Sequence, residues 1–255
     1  MYQETAFFYD LCFAHNIFTM PQSVKCHVDC NQCQTIALSI FSTLKKDELE
    51  ELNQHKTSLQ VKKGSVIFYE NNMPLGFYCV HQGKVKVYKT ASNGDIQIIR
   101  LATDGKLIGY RSLLANEPYQ ATAETIEDST ICFIPKSAIM DLIAKNLDFS
   151  LRIMEEFAQD LDFARKQSLN ILTKNSRERL AEAIILLHKT FGTTPAGYIN
   201  VKLTRAELAS ITGMVHETVV RILTEWEKDG LIMLDKKLIK ISNFPALMQC
   251  TLTED

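Results

Sequence analysis

Three cysteines lie close together near the start of the chain: Cys26, Cys30 and Cys33, in the stretch CHVDCNQC. Thiolates at this spacing can hold an iron-sulfur cluster, bind zinc together with a histidine such as His27, or act as a thiol redox switch. The spacing alone leaves these chemistries open, and it also leaves open that no cofactor binds. A disulfide framework is not expected, because seven cysteines cannot pair completely and the opening residues do not read as a signal peptide.

The composition is that of an ordinary globular protein. The chain has 255 residues, of which 46% are hydrophobic and 23% charged, and its formal net charge is -2. This length indicates one or two domains. No window of 18 or more apolar residues is present, so we expect no transmembrane helix, no membrane partner and a cytoplasmic location. Because the net charge is near zero, any nucleic-acid partner must be indicated by local motifs.

The stretch LTRAELASITGMVHETVVRILTEWEKDG has the spacing of a helix-turn-helix. Thr204 fits a capping box at the start of the first helix. Ala209 is small where two helices would cross, and Gly213 permits the positive φ of a sharp turn. Val219 and Ile222 would then hold the second helix against the first. The following stretch GLIMLDKKLIKIS predicts a two-stranded wing, which completes a winged domain.

The second helix of such a motif reads base edges in the major groove with its first turns. The candidates there are His216, Glu217, Thr218, Val220 and Arg221. Arg221 suits a bidentate contact with guanine, and Glu217, four residues earlier, can orient its guanidinium or accept from a cytosine amino group. Outside a DNA-binding domain, the same pair would be an ordinary surface ion pair.

Phosphate attraction must come from a few basic groups, because residues 202–228 carry roughly as many acids as bases. Lys202 and Arg205 stand at the start of the motif. Lys236 and Lys237 stand in the predicted turn of the wing. We expect these four side chains to contact the DNA backbone.

Two patterns precede the motif. From residue 59 to about residue 135, runs of β-branched and aromatic residues alternate with turn signals such as Asn93-Gly94, which predicts antiparallel strands in a sandwich or barrel. From about Ser137 the period becomes helical, with an a/d stripe. The stripe consists of Leu147, Leu151, Met154, Ala158, Leu161, Arg165, Ser168 and Leu172.

This stripe has two interpretations. It could pack on the β region, or it could pair with a second copy as a coiled coil. A second apolar set, Phe149, Ile153, Phe157 and Ala164, already offers a face to the body of the protein. The sequence therefore favours a homodimer.

The order of these parts resembles the Crp/Fnr superfamily of bacterial transcription regulators over about residues 40–245. The matching stretches are KKGSVIFYENN, VHQGKVKVYK, ATDGKLIGY, NSRERLAEAI and ITGMVHETVVRILTEWEKDGLI. The resemblance implies an α+β protein with an N-terminal cyclic-nucleotide-binding-like antiparallel β-roll, a long dimerisation helix and a C-terminal winged helix-turn-helix. The expected domains are a cysteine-rich sensor segment at 1–40, the β-roll at 41–136, the dimerisation helix at 137–172 and the DNA-binding domain at 173–255.

The cyclic-AMP branch of that superfamily holds the ribose with the Glu of a Gly-Glu-Leu stretch and the phosphate with an Arg-Ser pair. Here the first site falls on Gly109-Tyr110-Arg111, and the second on Gln120-Ala121 or, in another register, on Glu117-Pro118. A tyrosine hydroxyl is a poor replacement for a carboxylate, and neither register offers an arginine to the phosphate. We therefore expect no cyclic AMP.

The opening octapeptide resembles the cysteine cluster of the oxygen-sensing branch, the fumarate and nitrate reductase regulators. In that branch Cys-x3-Cys-x2-Cys is followed by a fourth cysteine six residues later. The last three of these cysteines hold a [4Fe-4S] cluster together with one cysteine on a late strand. Cys30, Cys33 and Cys132 match three of the ligands, but Ser39 occupies the position of the remaining one.

The missing ligand must then be Cys26, Cys12 or a side chain other than cysteine. Cys26 is the nearest candidate. The predicted ligand set is therefore Cys26, Cys30, Cys33 and Cys132. Cys79 and Cys250 are interpreted as structural or incidental.

The resemblance implies a dimeric, sequence-specific DNA-binding transcription regulator that binds a near-palindromic site and contacts RNA polymerase. Oxygen or nitric oxide would attack the cluster and loosen the dimer, which needs a bias of only a few kcal/mol. A regulator of the same fold that senses a small ligand, haem or thiol redox state without a cluster is the alternative. No Ser/His/Asp or paired-carboxylate constellation stands out, so an enzyme is not expected.

Overall fold

The computed structural model describes residues 23–92 and 94–251. Cys12 and Asn93, both named above, lie outside the described residues. The chain forms two compact units. The first contains the described residues through Lys89 together with Arg100–Glu155, and the second contains Thr90–Ile99 and the described residues from Glu156 onward.

Antiparallel strands form two sheets in the predicted β region. The first sheet has the order β1-β2-β9-β4-β7, from Ser23–Cys26 (β1), Thr57–Val61 (β2), Ser129–Pro135 (β9), Gly76–Gln82 (β4) and Leu107–Ile108 (β7). The second has the order β3-β8-β5-β6, from Val66–Phe68 (β3), Thr122–Thr125 (β8), Val85–Thr90 (β5) and Ile96–Ala102 (β6). The two sheets confirm the predicted antiparallel architecture.

One buried apolar cluster joins the two sheets. Leu59 and Ile131 come from the first sheet, and Ile67, Val85 and Ala123 come from the second. Because side chains alternate along a strand, these residues occupy one face of each strand and leave the other face for different contacts. The opposite face of β9 is therefore available to position Cys132.

Helices complete the first unit. Within the described residues these are Lys46–His55 (α1), Tyr110–Ala115 (α2), Lys136–Lys145 (α3) and three short 3-10 helices, Cys30–Gln32, Ile36–Leu38 and Ile40–Thr43. None of the helices in the described part of the chain has the length and apolar character needed to span a membrane.

The long helix Leu147–Thr173 (α4) carries the predicted apolar stripes. Phe149 and Ile153 are buried, and the Phe149 ring stacks on Phe41 with 5.9 Å between centroids. The burial of this second apolar set decreases along the helix, because Phe157 is half-buried and Ala164 is exposed. The exposed apolar members of the a/d stripe are Leu147, Leu151, Met154, Leu161 and Leu172. Within the described residues, these apolar positions of the predicted dimer seam are therefore exposed to solvent.

The second unit contains the predicted winged helix-turn-helix. Its helices are Ser176–Phe191 (α5), Arg205–Thr212 (α6), His216–Lys228 (α7) and Phe244–Gln249 (α8). Its hairpin pairs Ile232–Asp235 (β10) with Leu238–Ile241 (β11) and turns at Lys236-Lys237, as the wing was expected to do. The predicted capping box is present, since the Thr204 hydroxyl accepts from the Glu207 amide at 3.1 Å.

The turn between α6 and α7 has the geometry that its glycine predicted. Gly213 lies in the left-handed region at φ 63°, and its amide donates to the Ala209 carbonyl. Val219 and Ile222 are fully buried against the core of the unit. Trp226, the only tryptophan of the chain, is buried in the same core.

Gly213→Ala is expected to lower the free energy of unfolding of this unit by about 1–2 kcal/mol, because a Cβ disfavours the left-handed region. No atom lies within 4 Å of the added Cβ, so the cost is one of backbone conformation alone. Urea unfolding followed by Trp226 fluorescence measures it. Gly213→Asn is the matched control and should lose less, because asparagine tolerates this conformation. Equal losses in the two variants would contradict the backbone explanation.

Candidate functional site

One row of residues crosses the first sheet at the level of Cys132. Cys26 on β1 is opposite Ser58 on β2, Ser58 is opposite Cys132 on β9, and Cys132 is opposite Cys79 on β4. Directly opposed residues of an antiparallel sheet point to the same face. The row therefore presents three thiols and one hydroxyl on one face of the sheet.

A short turn brings two further thiols over this face. The 3-10 helix Cys30–Gln32 begins at Asp29, whose carboxylate accepts from the Asn31 amide at 2.9 Å. Asn53 on α1 holds the turn in place, because its side chain accepts from the Cys30 amide at 2.9 Å and donates to the Asp29 carboxylate at 2.7 Å. These bonds place Cys30 and Cys33 beside the sheet.

The turn and the sheet enclose a space that we call the thiol cavity. Its lining includes four cysteines, Cys30, Cys33, Cys79 and Cys132, the polar residues Thr35, Ser39, Lys56 and His81, and apolar residues such as Phe41, Leu52 and Ile134. Cys26 does not line it. The structure thus brings together three of the four predicted ligands and adds Cys79, which the sequence alone indicates to be structural or incidental.

Hydrogen bonds orient the sulfurs of this cavity. The Cys33 sulfur lies 3.3 Å from both the Thr35 hydroxyl and Nδ1 of His81. His81 reaches it from a bulge in β4, where the pairing with β9 shifts between Val80 and Gln82. The Cys132 sulfur lies 3.3 Å from the Ser58 hydroxyl. The charged end of Lys56 lies close by, 3.4 Å from that hydroxyl.

Burial controls the protonation of the thiols. It raises the pKa of the Cys30 thiol to about 11, while the charge of Lys56 acts in the opposite direction. Burial also raises the pKa of Cys79 well above its usual range, and the thiols around it raise it further. The pKa of Cys132 is raised for the same main reason. In the metal-free protein these thiols are protonated at neutral pH, so binding a metal centre must release protons.

The donor set fits an iron-sulfur cluster by its chemistry. Soft thiolates are the ligands that such clusters use, and the cavity presents several in a largely apolar setting. Among the described residues, no three His, Cys, Asp or Glu side chains converge as a single metal ion requires. The ligands of a four-iron cluster bind different iron atoms, so they need not converge on one point.

The predicted base-reading residues lie on the open face of α7. His216, Glu217, Val220 and Arg221 are exposed, and Thr218 is half-buried. The partner of Arg221 differs from the one expected, because its guanidinium donates to Glu225 at 3.0 Å rather than to Glu217. Glu225 also accepts from Arg177 on α5 at 2.5 Å. The sequence does not identify Glu225 as the partner of Arg221, because Glu217 and Glu225 each lie four residues from it and both could form the ion pair.

The predicted phosphate contacts separate into two groups. Lys202, Lys236 and Lys237 are exposed. Arg205 is half-buried and donates to the Lys236 carbonyl at 3.3 Å, which ties the start of α6 to the wing. Its burial lowers the pKa of its guanidinium. Arg205 therefore has a structural contact in addition to any contact with DNA.

Two protein families match successive parts of the chain. The cyclic nucleotide-binding domain matches residues 58–146, and the Crp-like helix-turn-helix domain matches residues 178–250. A β domain of this type followed by this helix-turn-helix defines a DNA-binding transcription regulator. The chain belongs to the Crp/Fnr family of transcription regulators, which is not a family of enzymes.

Individual proteins agree with this assignment. The chain is 28% identical over 232 residues to the fumarate and nitrate reduction regulatory protein of Escherichia coli K12, covering 89% of this chain and 92% of that protein. The protein of the same name in Vibrio cholerae is 27% identical with the same coverage. FixK2 from Bradyrhizobium japonicum has a similar fold, with a TM-score of 0.70 at 22% identity over 78% of this chain and 99% of that chain. A CRP/FNR family regulator from Thermus thermophilus gives a TM-score of 0.65 at 23% identity over 78% of this chain and 100% of that chain.

The charge of Lys56 should govern the reactivity of the Cys30 thiol in the reduced, metal-free protein. Lys56→Met removes a cation that lowers the pKa of Cys30, so the pH profile of its alkylation by iodoacetamide is expected to move to higher pH. Peptide mass spectrometry at a series of pH values measures the rate at Cys30 alone. Lys46→Met, an exposed lysine on α1, is the control and should leave the profile unchanged. An unchanged profile in Lys56→Met would disprove the electrostatic role.

Proposed function

We propose that this regulator is controlled by an oxygen- or redox-sensitive [4Fe-4S] cluster held in the thiol cavity. The observation that carries the proposal is that Cys30, Cys33 and Cys132, which come from two distant parts of the chain, line one buried space. These are the positions at which the sequence resembles the oxygen-sensing branch. The curated relatives named for fumarate and nitrate reduction support the same assignment. Cys26 is the fourth ligand that the sequence predicts.

The cavity would couple the cluster to the position of the N-terminal turn. A bound cluster supplies an oxygen-sensitive inorganic centre that cross-links its ligands. Cys30 and Cys33 belong to the turn, whereas Cys132 belongs to the central strand of the sheet. Without that cross-link the side chain of Asn53 and the charged end of Lys56, which donates to the Val28 carbonyl, hold the turn. Loss of the cluster would therefore leave the turn held by hydrogen bonds such as these, without a cross-link to the sheet.

The active form is proposed to be a homodimer joined along α4. The exposed a/d residues form an apolar stripe on a helix of 27 residues, and burying such a stripe against a second copy is favourable. In the dimer, two copies of α7 would face successive major grooves of a near-palindromic site. RNA polymerase is the further partner that this class of regulator implies.

Cyclic AMP is not proposed as the ligand. Tyr110, at the position of the ribose-binding carboxylate, is 1% exposed, and the Arg100 guanidinium lies 5.5 Å from its ring centre. Arg111 is exposed and pairs with Glu117 at 3.8 Å. These side chains are placed as core and surface residues, which supports a signal other than a cyclic nucleotide.

A thiol redox switch without a cluster is the second candidate. It is favoured by one observation, the direct opposition of Cys79 and Cys132 on neighbouring strands. A disulfide between them would need an oxidant and would bind no iron. The two candidates therefore differ in the metal content of the isolated protein.

Protein isolated without oxygen, or reconstituted with iron and sulfide, should contain about four iron and four sulfide per protomer and show a broad visible absorbance. Cys30→Ala should lose both contents, because it removes a ligand of the turn. Iron and acid-labile sulfide are measured by chemical analysis, and the cluster is followed by its absorbance spectrum. Air exposure should remove the absorbance and lower the dimer fraction in sedimentation. A wild-type protein that takes up neither iron nor sulfide would eliminate the cluster.

Arg221→Ala is expected to weaken binding to a near-palindromic duplex, selected in vitro with the wild-type chain, by about 1–3 kcal/mol per protomer, because each protomer loses a bidentate base contact. Fluorescence anisotropy against the selected duplex and a scrambled one measures the effect. Lys202→Ala is the control, and should weaken both duplexes alike and reduce the salt dependence by about one phosphate contact per protomer. If Arg221→Ala weakened both duplexes equally, Arg221 would contact only the backbone.

A further inference from the structure

Ser39 stands at the position where the oxygen-sensing pattern has its remaining cysteine, and its side chain is already engaged. Its hydroxyl donates to the Ile36 carbonyl at 2.8 Å and accepts from the Phe41 amide at 3.2 Å. These two bonds end one 3-10 helix and begin the next. A neutral alcohol oxygen is also a harder donor than the thiolates that hold iron-sulfur clusters. Ser39 is therefore not a ligand, and another side chain must complete the site.

Cys79 is placed to do so. It is buried on β4 directly opposite Cys132 on β9, and Cβ atoms of such a pair are about 4.5–5.5 Å apart. Both residues line the thiol cavity, as do Cys30 and Cys33. Two thiols thus come from adjacent strands of the sheet and two from the turn that covers it. This arrangement gives four soft donors around one space.

Cys26, the ligand predicted from sequence, is less well placed. It occupies the same row, but the strand β2 separates it from Cys132, so two strand spacings of about 10 Å in total lie between their backbones. Ser58 fills the intervening position, with its hydroxyl against the Cys132 sulfur. Cys26 is half-buried at the edge strand and lies outside the lining of the cavity.

His81 is the other donor of β4 that reaches the cavity. Its Nδ1 is within hydrogen-bond distance of the Cys33 sulfur, so the ring is engaged with one of the thiols rather than free to replace one. Hydrogen bonds to ligand sulfurs orient them and adjust the properties of the centre they hold. His81 is therefore a positioning residue for Cys33.

We propose that Cys79 supplies the fourth thiolate of the cluster site, in place of the cysteine missing at Ser39, and that Cys26 does not. This inference rests on the proposed cluster function and specifies its ligand set as Cys30, Cys33, Cys79 and Cys132. Compared with the oxygen-sensing pattern, this chain has no thiol at Ser39 but has one on β4. The number of thiolates, and hence the charge at the centre, is unchanged.

The test compares single variants after anaerobic reconstitution with iron and sulfide. Cys79→Ala is expected to lose iron, sulfide and visible absorbance to the level of Cys30→Ala. Cys26→Ala, Cys12→Ala and Cys250→Ala are expected to keep the wild-type contents. The double variant Ser39→Cys with Cys79→Ala should recover the cluster, because it restores a thiol at another point of the same cavity.

Cys79→Val separates ligand loss from misfolding, since valine cannot bind iron, is apolar, leaves no cavity and suits a strand. Its metal-free form should unfold at the wild-type midpoint, by circular dichroism, and still fail to take up iron. Full iron and sulfide in both Cys79 variants, or a loss in Cys26→Ala or Cys12→Ala equal to that in Cys30→Ala, would overturn the proposal. If the wild-type protein itself took up no cluster, the proposed function would fail instead, so the two failures are distinguishable.

Discussion

The antiparallel register between β4 and β9 is the constraint on which the thiol cavity depends. It places Cys79 opposite Cys132, under the turn that carries Cys30 and Cys33. Because side chains alternate between faces, a slip of one residue on β9 would turn Cys132 away from the turn. The same slip would expel Ile131 from the apolar cluster that joins the sheets. The core therefore maintains the position of the thiols, although no thiol belongs to that cluster.

Features that depend on neighbours in sequence were predictable. The strand region, the long helix, the capping box at Thr204 and the turn at Gly213 all follow from local spacing, and the structure contains them. The start of the long helix was predicted wrongly at residue 137, because Asn146 ends a separate helix and its side chain accepts from the Phe149 amide at the start of the next. Cys79 and His81 were not predicted, because their positions depend on the pairing of strands far apart in sequence and on a bulge in β4. The predicted partner of Arg221, Glu217, differs from the observed partner, Glu225, for a related reason. Spacing cannot choose between carboxylates four residues before and four residues after it.

Glu225 links the recognition helix to the rest of its unit. It accepts from Arg221 on α7 and from Arg177 on α5, and the Arg177 guanidinium lies 5.7 Å from the ring centre of Trp226. Pairs this exposed contribute little to the free energy of folding. They do limit the directions in which the Arg221 guanidinium can point. Because the surrounding charge is nearly balanced, we expect discrimination between DNA sequences to depend on a few such oriented groups.

The open apolar stripe of α4 has a consequence for gene dosage. If the DNA-binding species is a pair of chains joined along that stripe, its abundance follows mass action. While most molecules are single, the paired form then increases with the square of the total amount of protein. The rate at which the cell synthesises this regulator would therefore act as a second input, multiplied with the chemical signal proposed to act on its thiols.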